Sequence, residues 1–166
     1  GKLHPNNTYG WGLVNAYDAV QRAANAGLVV GRVTDASSGA PIAGASVTFT
    51  PRYTGTVSAT TTDHDGMYRR ALSAGAYSIR AAAFGYAPQT LFGVTVLTDA
   101  VITHNFTLSP LPTGTIGGFI TETGTGRPLT ATLFVSSTPV TAATNPATGG
   151  YALHLPEGRY TFTVRS

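Results

Sequence analysis

The sequence predicts a mainly β protein: two tandem antiparallel β-sandwiches preceded by one short α-helix. Three observations carry that prediction. The 166 residues include 27 threonines, 20 glycines and 10 prolines but only 10% charged residues, a β-branched and turn-rich composition that disfavours helical bundles and charged disordered tails. Apolar residues alternate with period two in short runs bounded by Gly, Pro, Asp and Asn, the pattern of half-buried strands. Much of the chain is also an internal repeat.

The helix is predicted in residues 1–27. Asn15 can cap it, with Asp18 three positions on in a capping-box arrangement. Val14, Tyr17, Val20 and Ala24 recur at helical spacing, and Gly27 is read as its stop. A helix of about three turns is marginal alone in water, so its apolar face must dock.

The repeat follows. Val30-Gly31-Arg32-Val33-Thr34-Asp35 and Gly39-Ala40-Pro41-Ile42 return 87 positions later as Gly117-Gly118-Phe119-Ile120-Thr121-Glu122 and Gly126-Arg127-Pro128-Leu129. Gly66-Met67-Tyr68 and Gly75-Ala76-Tyr77-Ser78-Ile79 return after 83, as Gly149-Gly150-Tyr151 and Gly158-Arg159-Tyr160-Thr161-Phe162. The second copy therefore lacks four residues in between, and such differences fall in loops. Ala45, Val47 and Phe49 form one inward set, as do Tyr77, Ile79 and Ala81, and in the second copy Tyr160, Phe162 and Val164.

These features divide the chain into a helix at 1–27, a first sandwich at 28–109, a proline-stiffened linker at 110–114 and an incomplete second sandwich at 115–166. After Ala83 the first copy runs on into two further strand-like stretches, Leu91–Leu97 and Val101–Leu108; the second copy has no counterpart after Ser166. A sheet short of a strand exposes unpaired backbone groups, so either the natural chain continues or a partner strand fills the gap.

Charge and composition exclude several functions. The net charge of +3 comes from 10 basic and 7 acidic residues, and the arginines are scattered apart from Arg69-Arg70. That is no basic face for nucleic acid. No apolar run approaches the ~18 residues of a membrane span. With no cysteine there is no disulfide, thiolate metal site or cysteine nucleophile. Lys2 is the only lysine, so no Lys–Asn amide bond can cross-link either sandwich. Few charges and many threonines suit a secreted or cell-surface protein of a bacterium or archaeon. Gly1 opens on no signal peptide, which reads as a cytoplasmic chain or one cut from a longer precursor.

Candidate sites are few. Asp63 and Asp65, in Asp63-His64-Asp65-Gly66, could offer oxygens to calcium. A calcium loop needs six to eight oxygens and commonly a closing Glu, and the second copy has Asn145-Pro146-Ala147-Thr148 there. A hairpin turn is the better reading, with no cofactor expected. His4, His64, His104 and His154 show no metal-ligand spacing. Ser37-Ser38 and Ser136-Ser137 lie in no nucleophile elbow and read as turns. Trp11, Tyr53 and Phe92 fall outside the clearest alternating positions and are the candidates for ligand or partner contact. Tyr68, Tyr77, Tyr151 and Tyr160 read as core.

Two resemblances sharpen this reading. Gly31-x-Val33-x-Asp35, Gly39-x-Pro41-Ile42, Thr62-Asp63-x-Asp65-Gly66-x-Tyr68, Gly75-x-Tyr77 and Gly85-Tyr86 resemble the carboxypeptidase regulatory-like domain. The resemblance implies a prealbumin or transthyretin-like sandwich of seven strands, nearly complete in the first copy and lacking its last strands in the second. Tyr9-Gly10-Trp11-Gly12-Leu13-Val14-Asn15-Ala16-Tyr17-Asp18-Ala19-Val20 is similar to the terminal helix of subtilisin-like serine peptidases. That likeness implies a non-catalytic tail of a secreted endopeptidase, with the parent catalytic domain as its neighbour. None of that family's catalytic motifs occurs in this chain, so no enzyme activity is expected of it. The alternatives are an extracellular module that binds polysaccharide or protein, and an assembly subunit that binds itself through an open sheet edge.

Overall fold

A computed structural model of the protein describes residues 26–166. The predicted helix, with Trp11 and His4, lies outside the described residues except at its end. There the expectation fails: strand β1 (Ala26–Asp35) begins at Ala26, and Gly27 pairs with Leu72 instead of ending a helix. All the regular elements described are strands. They fall into two compact units, residues 26–83 with 88–108, and residues 84–87 with 109–166.

The first unit holds two sheets. β1 pairs antiparallel with β4 (Met67–Ser73) and, on its other side, parallel with β7 (Val101–Thr103) and then β8 (Phe106–Leu108). The second sheet runs β3 (Ser58–Thr61), β2 (Ser46–Pro51), β5 (Gly75–Ala82), β6 (Gln89–Val96) in spatial order. Alternation places Val29, Val33, Tyr68, Phe106 and Leu108 inward from the first sheet, and Val47, Phe49, Ile79, Ala81 and Val96 from the other; all are buried. The Tyr68 ring bridges the layers, 6.2 Å from both Phe49 and Phe106. Burying side chains of this size stabilises by about 1.5–3 kcal/mol each, and this interleaved core is what holds the sheets together.

The stretch Val101–Leu108 is not one strand but two. The chain breaks at His104-Asn105, where Asn105 Oδ1 accepts the Arg32 amide at 2.9 Å in place of a backbone carbonyl. The break pushes the His104 carbonyl over Gly31: a Cβ there would lie 1.7 Å from its oxygen. Tyr68 caps the same carbonyl, its hydroxyl donating at 2.7 Å.

The second unit repeats five of these strands. β9 (Thr113–Phe119) pairs with β12 (Gly150–Pro156), and β10 (Thr132–Val135) lies between β11 (Thr141–Ala143) and β13 (Phe162–Arg165). They match β1, β4, β2, β3 and β5. Leu133, Val135, Leu153 and Leu155 form a smaller core, with Tyr151 and Tyr160 packed on it half-buried. No strand among the described residues lies beside β9 in the place of β7 and β8, or beside β13 in the place of β6.

The same side-chain hydrogen bonds occur within each unit. Thr62 Oγ1 donates to the Ile42 carbonyl at 2.6 Å and accepts the Ala45 amide at 2.9 Å. Thr144 does the same with Leu129 and Ala131, at 2.7 and 2.8 Å. The Tyr77 hydroxyl donates to the Ser73 carbonyl, and Tyr160 to that of Pro156, each four residues back. These pairs locate the length differences. One residue is lost between Ile42 and Ala45, four between Phe49 and Thr62, and one is gained before Gly149.

One inward set is corrected. Phe162 and Val164 are not core; they are 37% and 47% exposed, whereas their counterparts Ile79 and Ala81 are fully buried. Their alternation matches a core strand, but burial also requires a neighbouring strand and a facing one.

Candidate functional site

Among the described residues, Asp63, His64 and Asp65 form a group of metal-ligand type, with ligand atoms within 4.8 Å of one another, and all three are exposed. Local geometry explains the cluster. Asp63 Oδ1 accepts the Asp65 amide at 3.0 Å and the Met67 amide at 2.9 Å, and Gly66 takes φ +73°. This is the Asx turn that the short Asp side chain favours. It is not a hairpin: β3 and β4 lie in different sheets, and the turn carries the chain from one to the other. His64 pairs with the Asp65 carboxylate at 3.0 Å, and Arg32 Nε donates to the Asp65 carbonyl. In the second unit Asn145 Oδ1 takes the same part, accepting the Ala147 amide.

The other polar candidates are dispersed. His104 lends its carbonyl to Tyr68, and His154 Nδ1 meets Thr115 Oγ1 at 2.9 Å. Ser37 and Ser38 donate their amides to Asp35 Oδ1, and Ser137 sits in a turn at φ +61°.

Tyr53 and Phe92 are 81% and 80% exposed, for different reasons. Tyr53 stands in the loop between β2 and β3, with the Arg52 guanidinium 5.6 Å from its ring centroid. Phe92 sits at a bulge in β6, where Gly93 takes φ +71° and the register against β5 shifts around Ser78. The two do not form one patch. Tyr53 belongs to the β2–β3 end of the sheet and β6 is the opposite edge strand, so roughly 10–15 Å of sheet lies between. Tyr53 borders a cleft of about 590 Å³ between its own loop and the turn from β4 to β5. Pro51, Thr56, Ser58, Leu72 and Tyr77 line it too, and the buried Ser58 hydroxyl oxygen there has no hydrogen-bond partner. The cleft was not legible in the sequence, because it depends on the height of a loop above a sheet.

The second notable surface is the pair of edges on β9 and β13 that no strand among the described residues covers. Ile116 on β9 is 39% exposed where its counterpart Val29 is fully buried. Phe162 and Val164 on β13 are exposed in the same unit. A run of unpaired strand backbone flanked by apolar side chains is a surface for another strand. Among the described residues no helix is long and apolar enough to cross a membrane.

Comparison with known proteins finds likeness both in sequence and among solved structures. Residues 29–109 match the carboxypeptidase regulatory-like domain. The chain is similar to Bacillopeptidase F of Bacillus subtilis strain 168, 35% identical over 101 residues, a stretch that is 60% of this chain and 7% of that protein. The chain thus spans a small fraction of that relative's length. Among solved structures it is similar to the Bacillus anthracis TIE protein, at 20% identity, with 85% of this chain and 28% of that one covered and a TM-score of 0.47. It is also similar to a streptococcal ancillary pilin, at 17% identity, 86% and 54% coverage and a TM-score of 0.44.

Proposed function

We propose that this chain is the non-catalytic accessory region of a secreted subtilisin-like serine endopeptidase. In this reading it comprises two transthyretin-like modules, the second short of its last strands, following the terminal helix of the catalytic domain. The observation that carries it is the 101-residue match to a protein named as a peptidase. The Tyr9–Val20 motif also supports it, and residues 29–109 match a regulatory-like domain. The repeated Thr62/Thr144 and Tyr77/Tyr160 hydrogen bonds favour two modules of one design. The modules hold, space or stabilise the catalytic domain, and hydrolysis belongs to the parent.

Three measurements test this. The reading frame before Gly1 should encode a Ser–His–Asp peptidase domain. The isolated chain should leave casein intact, while removal of residues 26–166 from the parent should speed its thermal inactivation and leave kcat/KM on a short peptide unchanged. A reading frame with no such domain, or hydrolysis by the isolated chain, overturns the proposal.

The cleft beside Tyr53 favours a second reading, attachment to polysaccharide through the first unit, because an exposed tyrosine rim over a groove suits stacking on a sugar ring. Retention on insoluble polysaccharide that falls several-fold in Tyr53→Ala supports it; equal retention of both proteins counts against it.

A further inference from the structure

The cleft beside Tyr53 departs from the same place in the second unit at the positions that decide what it can hold. Ser58 faces Phe49 across the β2–β3 ladder, and its hydroxyl oxygen is buried with no hydrogen-bond partner. In the second unit Val135 takes the place of Phe49, each being paired with the matching residue of the next strand, Phe162 and Ile79. The Val135 amide donates to the Val140 carbonyl, and Val140, the counterpart of Ser58, packs against the aliphatic core. The frame thus accepts an apolar side chain at this position. An unpaired buried hydroxyl costs stability, so Ser58 is a polar group that the fold itself does not require.

The opposite wall differs in charge. The turn Ser73-Ala74-Gly75-Ala76 corresponds to Pro156-Glu157-Gly158-Arg159, and Tyr77 and Tyr160 clasp the two turns in the same way. Where the second unit carries Glu157 and Arg159, the first has two alanines. Among the described residues no Asp, Glu, Lys, Arg or His lines the cleft; its polar side chains are Thr54, Thr56, Ser58, Ser73 and the two tyrosines. The Arg52 guanidinium lies over the Tyr53 ring and outside the lining. A charged ligand would give up water here for no counter-charge, whereas an uncharged one bearing hydroxyls can exchange hydrogen bonds with the wall. The covering loop can lift to admit it. The Arg52 amide donates to the Ala76 carbonyl at 2.8 Å, but among the described residues no backbone bond holds the amides of residues 53–57, and all five residues are exposed.

Resting on the polysaccharide reading of this cleft, we propose that it selects an uncharged sugar residue and that Ser58 is the residue that selects it. The sugar ring stacks on Tyr53. One of its hydroxyls, reaching in as residues 53–57 move outward, pairs with Ser58 Oγ and satisfies the group that the empty cleft leaves unpaired. Neutrality of the wall is the basis of the choice: acidic and amino sugars find no opposite charge in the lining.

Affinity electrophoresis of the full chain in native gels tests this, with amylose, galactomannan and β-glucan as neutral probes, polygalacturonate and chitosan as charged ones, and gelatin as a polypeptide. At least one neutral gel should retard the chain. Ser58→Val, which copies the second unit, should weaken that retardation roughly tenfold through the lost hydrogen bond, while its melting temperature stays equal or rises. Retardation in a neutral gel that falls with Tyr53→Ala but not with Ser58→Val overturns the proposal and leaves polysaccharide attachment standing. So does Tyr53-dependent retardation confined to polygalacturonate or chitosan. A Ser58→Val chain that loses retardation and also melts lower shows a structural serine and overturns the proposal as well. Retardation in no gel, or in gelatin alone, overturns both this proposal and the polysaccharide reading beneath it.

Discussion

At the residue scale, polar side chains in this protein act mainly as backbone partners. Tyr68 combines two constraints: its ring fills the space between the sheets and its hydroxyl donates to the His104 carbonyl. Burial pushes its pKa up to about 12. The unfolded tyrosine ionises near pH 10, so at alkaline pH the unfolded state loses a proton that the folded state keeps. The stability this group confers is complete below about pH 10 and declines as pH rises toward 12. Tyr68→Phe should cost about 1 kcal/mol at neutral pH by losing the hydrogen bond, and should flatten the alkaline decline in a pH series of urea midpoints. Asp63 offers a second test. Because Asn145 does the same work in the second unit, Asp63→Asn should leave the melting temperature unchanged, whereas Asp63→Ala should cost about 1 kcal/mol through the lost amide partners. A loss for Asp63→Asn that appears only with calcium would show a cation role instead. The turn at Asp63 was legible in the sequence because its chemistry is local. The outward position of Phe92 depends on a bulge, and only its departure from alternation hinted at it.

At the element scale, two glycines at matched positions separate what a strand requires from what its neighbour imposes. Gly31→Ala drives a Cβ into a carbonyl oxygen fixed by β7, β8 and Tyr68, and should destabilise the first unit by about 3 kcal/mol or more. Gly118→Ala meets the hydroxyl and the adjoining ring edge of the half-buried Tyr151 side chain rather than fixed backbone, and should change stability by less than about 1 kcal/mol. Urea unfolding followed by exchange at β1 and β9 amides checks both. The same contrast explains which elements could be read in advance. Alternation marked β2, β5, β6 and the stretch Val101–Leu108 in the first unit, whereas β3, β4 and the split at His104-Asn105 carried no such mark. Gly27 was read as a helix stop, because glycine at a boundary and glycine under a crossing carbonyl look alike until the long-range partner, here Leu97, is known.

At the scale of the whole molecule, the two units differ in the size of their cores. The first encloses Phe49, Phe106, Ile79 and Leu108, and the second builds its core on four aliphatic residues. Smaller cores leave less margin over conformational entropy. Calorimetry should therefore resolve two transitions, with the second unit melting first and its amides exchanging faster throughout. A single transition with uniform protection would contradict that order. That residues 115–166 hold no match to Leu91–Leu108 was legible from the repeat alone. Its physical effect on Phe162 and Val164 was not, because hydrophobic period reports which face a residue occupies and not whether anything covers that face.

The four residues missing between Phe49 and Thr62 in the repeat come from the stretch that includes the Tyr53 loop. Where the first unit raises Arg52–Val57 above its sheet, the second closes the same two strands with Ser136–Val140, cinched by the Thr138 hydroxyl on the Val135 carbonyl. The five matched strands keep the same pairing in both units, while this loop differs most in length. That makes 52–57 a portable cassette: transplanted onto β10 and β11, it should carry the groove with it, and a designer could vary its length and tip without disturbing either set of buried threonine and tyrosine clasps.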